Sequence, residues 1–482
     1  MDLIKNLPID LLYIITNYDP KILFRILPKS ELIKYDWFKL IKINFSLIYQ
    51  RDACTNEEIM QVYLDNCTKK SKIVCGEYYT IIRLADGTLM SCGSNNFGQL
   101  GHGDNISRNV FAEIKGIGKK IVEVTCGAHH TIIRLIDGTL MGCGTNYYGQ
   151  LGLGRMERNS FEEIKNIPKN ITQVICGNQI TIIKLTDGTL MACGLNLYGQ
   201  LGFGDINTRF VFEEIKGIGK NIAQVICGIN ETIIRLTDGT LMVCGYNSQG
   251  QFGLGDNMSR FLFSEIRGIP KNIDQVICGA YHIIIRLTDG TLLSCGSNHE
   301  GQLGLGDCVN RNIFEKVPSV PKNIAEVICA EMHTTIRLTD GTLMRCGYND
   351  VGQLGLGDRK NRNLFEKVNS IPKNIAQILY GSSSTIIRLT NGTLMACGLN
   401  LYGQLGFGDE RYRLSFEKIP GIPQNIAEII CSHFVTIIRL TEGTLMACGY
   451  NDHGQLGLGD KLHRNRFEKI KGISVSSYVL KI

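Results

Sequence analysis

The stretch Cys193-Gly-Leu-Asn-Leu-Tyr-Gly-Gln-Leu-Gly-Phe-Gly-Asp205 decides the fold, because its frame, Cys-Gly-x-Asn-x-x-Gly-Gln-Leu-Gly, returns eight times with Phe252 standing once for the leucine. The Gly-Gln pairs begin at Gly98, Gly149, Gly199, Gly250, Gly301, Gly352, Gly403 and Gly454, a period of 51 residues with one step of 50. A fixed period of this size signals a solenoid or a propeller.

Working outward from the frame, one unit reads Val225-Ile-Cys-Gly228, Thr232-Ile-Ile-Arg-Leu236, Asp238-Gly239, Thr240-Leu-Met-Val-Cys244, the glycine-rich frame, then Phe263-Ser-Glu-Ile266. Four short β-rich segments are separated by turn residues. Asp-Gly between apolar runs is a hairpin signal and predicts a type I′ turn with positive φ at both central residues. It stands at Asp86, Asp137, Asp187, Asp238, Asp289 and Asp340, with Asn391-Gly392 and Glu442-Gly443 in the last two units. Backbone geometry, not carboxylate chemistry, is what such a site demands. The frame glycines fit the same logic. A phosphate-cradling loop does not, since no Lys-Ser/Thr follows them.

Four strands repeated eight times describe an all-β protein, a β-propeller of eight four-stranded blades. Kelch blades carry a double glycine and WD blades a tryptophan, whereas this chain has no Gly-Gly and its single Trp is residue 37. The frame, preceded by Asp-Gly-Thr-Leu-Met-x-Cys-Gly, resembles the regulator of chromosome condensation repeat across about 400 residues. The resemblance implies a propeller, usually of seven blades; seven blades plus a surplus unit is therefore the alternative to eight.

The 482 residues carry a net charge of +6 from 51 basic and 45 acidic side chains, split evenly between residues 1–72 and the repeats. That balance makes nucleic acid an unlikely partner. The sequence has no run of apolar residues long enough to span a membrane and no basic-then-apolar leader, so an intracellular protein without membrane attachment is expected, cytoplasmic or nuclear and not secreted. Of 18 cysteines, 15 follow the repeat, seven ending one strand (Tyr380 fills the eighth slot) and eight ending another; only Cys54, Cys67 and Cys308 stand apart. This spacing reads as buried small hydrophobes in a reducing compartment, with no metal or cofactor.

Residues 1–50 differ in kind. Leu7, Pro8, Leu11, Leu12 and Ile15, then Tyr18-Asp-Pro-Lys21 and Trp37, predict short amphipathic helices. The pattern resembles an F-box, which implies docking of the adaptor subunit of a cullin-type ubiquitin ligase through Leu7, Pro8, Leu11, Leu12, Ile15 and Trp37. The other reading is a helical cap with these residues as core. Residues 51–72 read as one more helix and a linker, 73–472 as the propeller, and 473–482 as a tail or closing strand.

With antiparallel consecutive strands, the first-to-second and third-to-fourth connections share one face and the Asp-Gly turns lie on the other. The first face diversifies while the frame stays fixed. Its richest cluster is in the first three units, where Tyr78, Tyr79, Phe97, His129, His130, Tyr147, Tyr148 and Tyr198 are the candidate aromatic anchors for a protein partner. The slot of His130, His282 and His333 holds Tyr79, Ile180, Glu231, Ser384 and Val435 elsewhere, which excludes a ring of metal ligands. Two recurrent arginine series, Arg83 to Arg439 and Arg108 to Arg464, are expected to pair locally. No paired carboxylates, nucleophile elbow or metal spacing points to an enzyme. The expected function is a non-enzymatic, monomeric interaction scaffold, extended by the F-box resemblance to a ubiquitin-ligase substrate adaptor. The alternative, implied by the repeat resemblance, is a guanine nucleotide exchange factor or regulator of a Ran-like GTPase. Exchange in that family uses a wedge inserted into the propeller, whereas the irregularity here is a one-residue deletion between Gly152 and Phe161.

Overall fold

The computed structural model describes residues 73–475 apart from 85, 118–120 and 370, and within the first 72 residues only 16, 23, 27, 29–32, 34–40, 56, 59, 60 and 63. Blade 4 shows how the unit folds. Its strands, Ile222–Cys227, Glu231–Leu236, Leu241–Gly245 and Arg260–Glu265, pair antiparallel in chain order. The second strand is apolar and buried along Thr232, Ile233 and Ile234 because sheets pack on both of its sides. Seven more sheets repeat this order, giving eight blades and leaving no surplus unit. First strands of adjacent blades lie against one another, and that of blade 1 (Ile73–Cys75) touches those of both blade 2 and blade 8. First strands therefore surround the axis, and fourth strands form the outer rim.

The hairpin between second and third strands differs from the expected type I′ turn. Gly239 has φ of 86°, but Asp238 is not left-handed. Gly239 N donates to Leu236 O at 3.1 Å and Leu236 N to Thr240 O at 2.9 Å, which is a three-residue loop ending in a left-handed glycine. The aspartate is selected for another reason. Its Oδ1 accepts the Thr240 N–H at 2.9 Å and its Oδ2 accepts the Thr240 hydroxyl at 3.1 Å.

The frame is an inter-blade joint. A Cβ on Gly98 would stand 2.3 Å from Asn159 Cα of blade 2, and one on Gly101 would stand 2.5 Å from the Phe161 ring, so only glycine admits the neighbouring fourth strand. The Gln99 carbonyl accepts from Thr131 Oγ1 at 3.2 Å and from Cys143 Sγ at 3.5 Å, both on blade 2. Its side chain turns back to accept the Phe97 N–H, while Asn95 Oδ1 accepts the Leu100 N–H at 2.9 Å. Blade 8 meets blade 1 in the same way: Gln455 O accepts from Thr80 and Cys92, Gly454 abuts Asn109, and Gly457 abuts Phe111. The ring is thus closed by the joint used everywhere else, and among the described residues no strand is exchanged between first and last blades.

Each joint covers an apolar cluster, such as Ile180, Ile182, Leu201, Ile215, Ile222, Val225 and Ile234 between blades 3 and 4. At closure, the last strand continues to Ser474, and Val475 is buried with Ile73, Ile82, Leu445 and Ile470. The arginines pair locally. Arg209 bridges Asp205 and Glu213 at 2.9 Å each, and Arg439 bridges Glu428 at 3.0 Å. Arg83 and Arg235 reach carbonyls of the next blade's first strand.

In the first 72 residues, a helical turn spans Lys29–Leu32. Trp37 is fully buried with Leu23, Leu32, Leu40, Ile59 and Tyr63; its indole N–H donates to Leu32 O at 2.8 Å and its ring meets Tyr63 edge-on at 5.0 Å. Its ring is therefore part of a small core. Leu7, Pro8, Leu11, Leu12 and Ile15 lie outside the described residues.

Candidate interaction face

The two faces differ in their side chains. On the Asp-Gly face the same contact recurs: Lys220 on Asp187 at 2.6 Å, Lys322 on Asp289 at 2.7 Å and Lys373 on Asp340 at 2.7 Å. On the opposite face the loop conformation recurs and the chemistry changes. The residue after each first-strand loop hands its carbonyl to the frame, as Tyr78 O does to Ser94 N and His129 O to Thr145 N. Its backbone is thereby held against the frame.

This arrangement joins Tyr78, Phe97, His129 and Tyr147. His129 stacks on Tyr78 at 6.4 Å and packs against Phe97 at 5.4 Å, and Phe97 meets Tyr147 edge-on at 6.4 Å. Tyr147 is 59% exposed. Ring closure then extends the chain to residues that the linear sequence keeps far away. Tyr78 lies 6.1 Å from Tyr450 and 5.1 Å from His453, and Tyr450 meets Tyr402 at 4.9 Å and His463 at 5.0 Å. Phe434 completes the group at 5.2 Å from Tyr402. One aromatic crescent therefore spans blades 7, 8, 1 and 2. Tyr198 belongs to a smaller group, 5.1 Å from Tyr246, which in turn lies 5.9 Å from Tyr281. Tyr148, 38% exposed, joins neither.

Tyr79 and His130 are not on this surface. Both are buried between blades. The Tyr79 hydroxyl donates to His130 O at 2.8 Å, and His130 Nε2 lies 3.2 Å from Thr181 Oγ1, while burial pushes the His130 imidazole down to about 3. They are joint residues, as is His282 on Thr334 at 3.1 Å. Reading the sequence as units put Tyr402, Phe434 and His453 on the variable face without joining them to this cluster, and passed over Tyr450 and His463. The signal available was the variable residue of Cys-Gly-x-Asn, which is tyrosine at Tyr246, Tyr348 and Tyr450.

The described residues hold no group of three or more His, Cys, Asp or Glu able to bind a metal. Burial pushes the axial thiols of Cys75, Cys329 and Cys431 up to about 12, so they are protonated and poor ligands. Ser91 Oγ lies 2.9 Å from His102 Nε2, yet Ser91 is fully buried beneath its frame and out of reach of a substrate. Among the described residues, no helix is long and apolar enough to cross a membrane.

Comparison with known proteins agrees with the repeat geometry. The model of the RCC1-like domain matches residues 169–481, and that of the regulator of chromosome condensation (RCC1) repeat matches 86–133 and 137–183. The chain belongs to the RCC1-like family. Within it, the ultraviolet-B receptor UVR8 of Arabidopsis thaliana is 29% identical over 410 residues, covering 84% of this chain and 82% of that protein. The probable E3 ubiquitin-protein ligase HERC4 of Homo sapiens is 35% identical over 349 residues, and the mouse X-linked retinitis pigmentosa GTPase regulator 29% over 298. The match spans only 32% and 30% of those two longer proteins. Among solved structures, yeast Prp20p, described with its binding to Gsp1p and histones, superposes with a TM-score of 0.56 at 20% identity over 75% of this chain and 94% of that one. The RCC1-like propeller described here has eight blades, and its aromatic crescent crosses the junction of the last with the first.

Proposed function

We propose that the propeller is a non-enzymatic protein-recognition platform whose working surface is the loop face of blades 7, 8, 1 and 2. The observation that carries this reading is the contiguity of Tyr402, Phe434, Tyr450, His453, Tyr78, His129, Phe97 and Tyr147. Partly exposed aromatics held by a rigid frame contribute large contact area at small entropic cost, as binding hot spots do. The relatives are consistent with protein recognition: one is named a GTPase regulator, and Prp20p is described by what it binds. Regulation of a Ran-like GTPase is the second reading and uses the same platform. The F-box resemblance of residues 1–50 adds a further proposal, that these residues recruit a cullin-type ligase to whatever the propeller holds.

The test places a photo-crosslinking amino acid in the full chain at residue 450 or, on the other face, at residue 289. Adducts with one protein at 450 and none at 289 are expected. Equal yields, or adducts at 289 alone, overturn the platform reading. Recovery of a cullin and its small adaptor by the full chain, abolished by Leu11→Ala with Leu12→Ala, tests the adaptor proposal.

A further inference from the structure

The crescent has a charge character opposite to that of the chain. The protein is basic overall, at +6. On the face loops of blades 8, 1 and 2, however, each prominent tyrosine has a carboxylate beside it: Glu77 at Tyr78, Glu157 at Tyr147 and Asp452 at Tyr450. The other acids of these loops, Asp104 and Asp460, are neutralised by Arg108 at 2.8 Å and by Arg464. Glu77, Glu157 and Asp452 have no such arginine. Glu77 lies 3.1 Å from His129 Nε2 and Asp452 3.6 Å from His463 Nε2. Glu157 keeps its Oε1 buried and without a hydrogen-bond partner. Two further basic residues belong to the same loops: Arg155, which lies over the Phe210 ring of blade 3 at 4.3 Å, and Lys461.

A surface of electron-rich ring faces interleaved with carboxylates that no arginine pairs is complementary to a guanidinium or an ammonium. Ring quadrupoles attract the cation while the carboxylates accept its hydrogen bonds. Resting on the platform reading above, we propose that the crescent of blades 8, 1 and 2 recognises an arginine- or lysine-bearing segment of a protein partner. Tyr78, Tyr147 and Tyr450 supply the stacking surfaces, and Glu77 and Asp452 supply the acceptors.

The experiment is fluorescence anisotropy of the full chain with a short synthetic peptide alternating Arg and Gly, beside the same peptide with Gln or Glu for Arg. Saturable binding of the Arg peptide that weakens as salt rises is expected, with none of the Gln or Glu peptides. Glu77→Gln with Asp452→Asn removes two charges and leaves the frame glycines and glutamines untouched, and is expected to weaken binding about tenfold or more. Tyr78→Ala is expected to do the same, and Tyr78→Phe to retain binding because the ring remains. Glu331→Gln, on blade 6, is the control and leaves binding unchanged. Equal binding of the Gln peptide, or no loss in the double variant, overturns the proposal. If crosslinks at residue 450 persist while no cationic peptide binds, the platform reading stands and the cation chemistry falls.

Discussion

The guanidinium of Arg345, in the third strand of blade 6, donates from Nη2 to Thr385 Oγ1 of blade 7 at 2.7 Å across the joint between them. Arg345 is fully buried where the other blades hold Ser91, Gly142, Ala192, Val243, Ser294, Ala396 and Ala447. It also meets Thr335, His333 and Cys397, and its ring neighbours are Tyr380 and Phe416. All of these are neutral. Three departures from the repeat, Thr335 for isoleucine, Arg345 for a small residue and Tyr380 for cysteine, converge on one joint.

A buried cation held only by neutral partners keeps much of its desolvation cost. Returning the site to the repeat, with Arg345→Ala and Thr335→Ile together, is expected to stabilise the ring by about 1–4 kcal/mol. Arg345→Ala alone leaves a void and orphaned hydroxyls, and is expected to be less stable than the pair. Urea unfolding of the three variants checks the order. A double variant weaker than the native chain would show that the cation stabilises its joint.

Glu231 is 1% exposed, and burial pushes its carboxyl up to about 8 from an ordinary 4.5. Its equivalents His130 and His282 each meet a threonine of the next blade, but blade 5 has Ile283 there; the nearest donor is Asn230 N at 3.2 Å. The folded chain therefore holds this proton more tightly than the unfolded chain does. The associated stability is complete below pH 4.5 and disappears as pH rises through about 8. Glu231→Gln is expected to leave the melting temperature unchanged near pH 4.5. At pH 9 it should stabilise the ring, by an amount on the order of 4 kcal/mol. Ile283→Thr should lower the Glu231 pKa by offering its carboxylate a hydroxyl donor. Melting curves across pH, with NMR titration of the labelled carboxyl, decide both.

Glycines at the joint and away from it separate two costs. Gly421 has φ of 70° and nothing within 4 Å of an added Cβ, so Gly421→Ala should cost about 1 kcal/mol for its backbone alone. Gly454 has a similar φ of 81°, but its Cβ would lie 2.5 Å from Asn109 Cα. Gly454→Ala is expected to cost about 2 kcal/mol more and to expose the junction of blades 8 and 1 to protease. Equal losses in the two variants would mean that the joint yields freely.

Ile234, fully buried in the cluster between blades 3 and 4, is expected to cost about 2–5 kcal/mol on replacement by Ala. Loss of amide protection in blades 3 and 4 together, and not in blade 4 alone, is the expected hydrogen-exchange result. Protection lost in blade 4 only would show that blades unfold independently.

What the sequence made legible was set by local rules repeated eight times. The Gly-Gln frame and the Asp-Gly turns fixed strand number and blade number. The turn geometry was misjudged because aspartate suits several loops, and only the Thr240 N–H on Asp238 shows which one formed. The site was half legible. Phe97, Tyr147, Tyr78 and His129 stand close in sequence and in space, whereas Tyr79 and His130, their neighbours along the chain, point into the joint by strand alternation. Tyr402, Tyr450 and His453 could not be joined to Tyr78 without knowing that the ring closes, since that proximity belongs to the circle and not to any unit.

The junction of blade 8 with blade 1 uses the same glycines, the same glutamine carbonyl and the same phenylalanine as the other seven. A ring whose seam differs from its other joints only in the longer last strand, which ends at Ser474, has no first blade set by its joints. Residues 73–475 can in principle be cut at the loop before any first strand and rejoined at Val475 without altering a single joint, so permuted chains with one architecture and different starting points are equally good solutions of the same packing problem. The aromatic crescent already bridges the present break, Tyr78 of blade 1 lying 5.1 Å from His453 of blade 8, so it belongs to the closed circle and not to the place where the chain is opened.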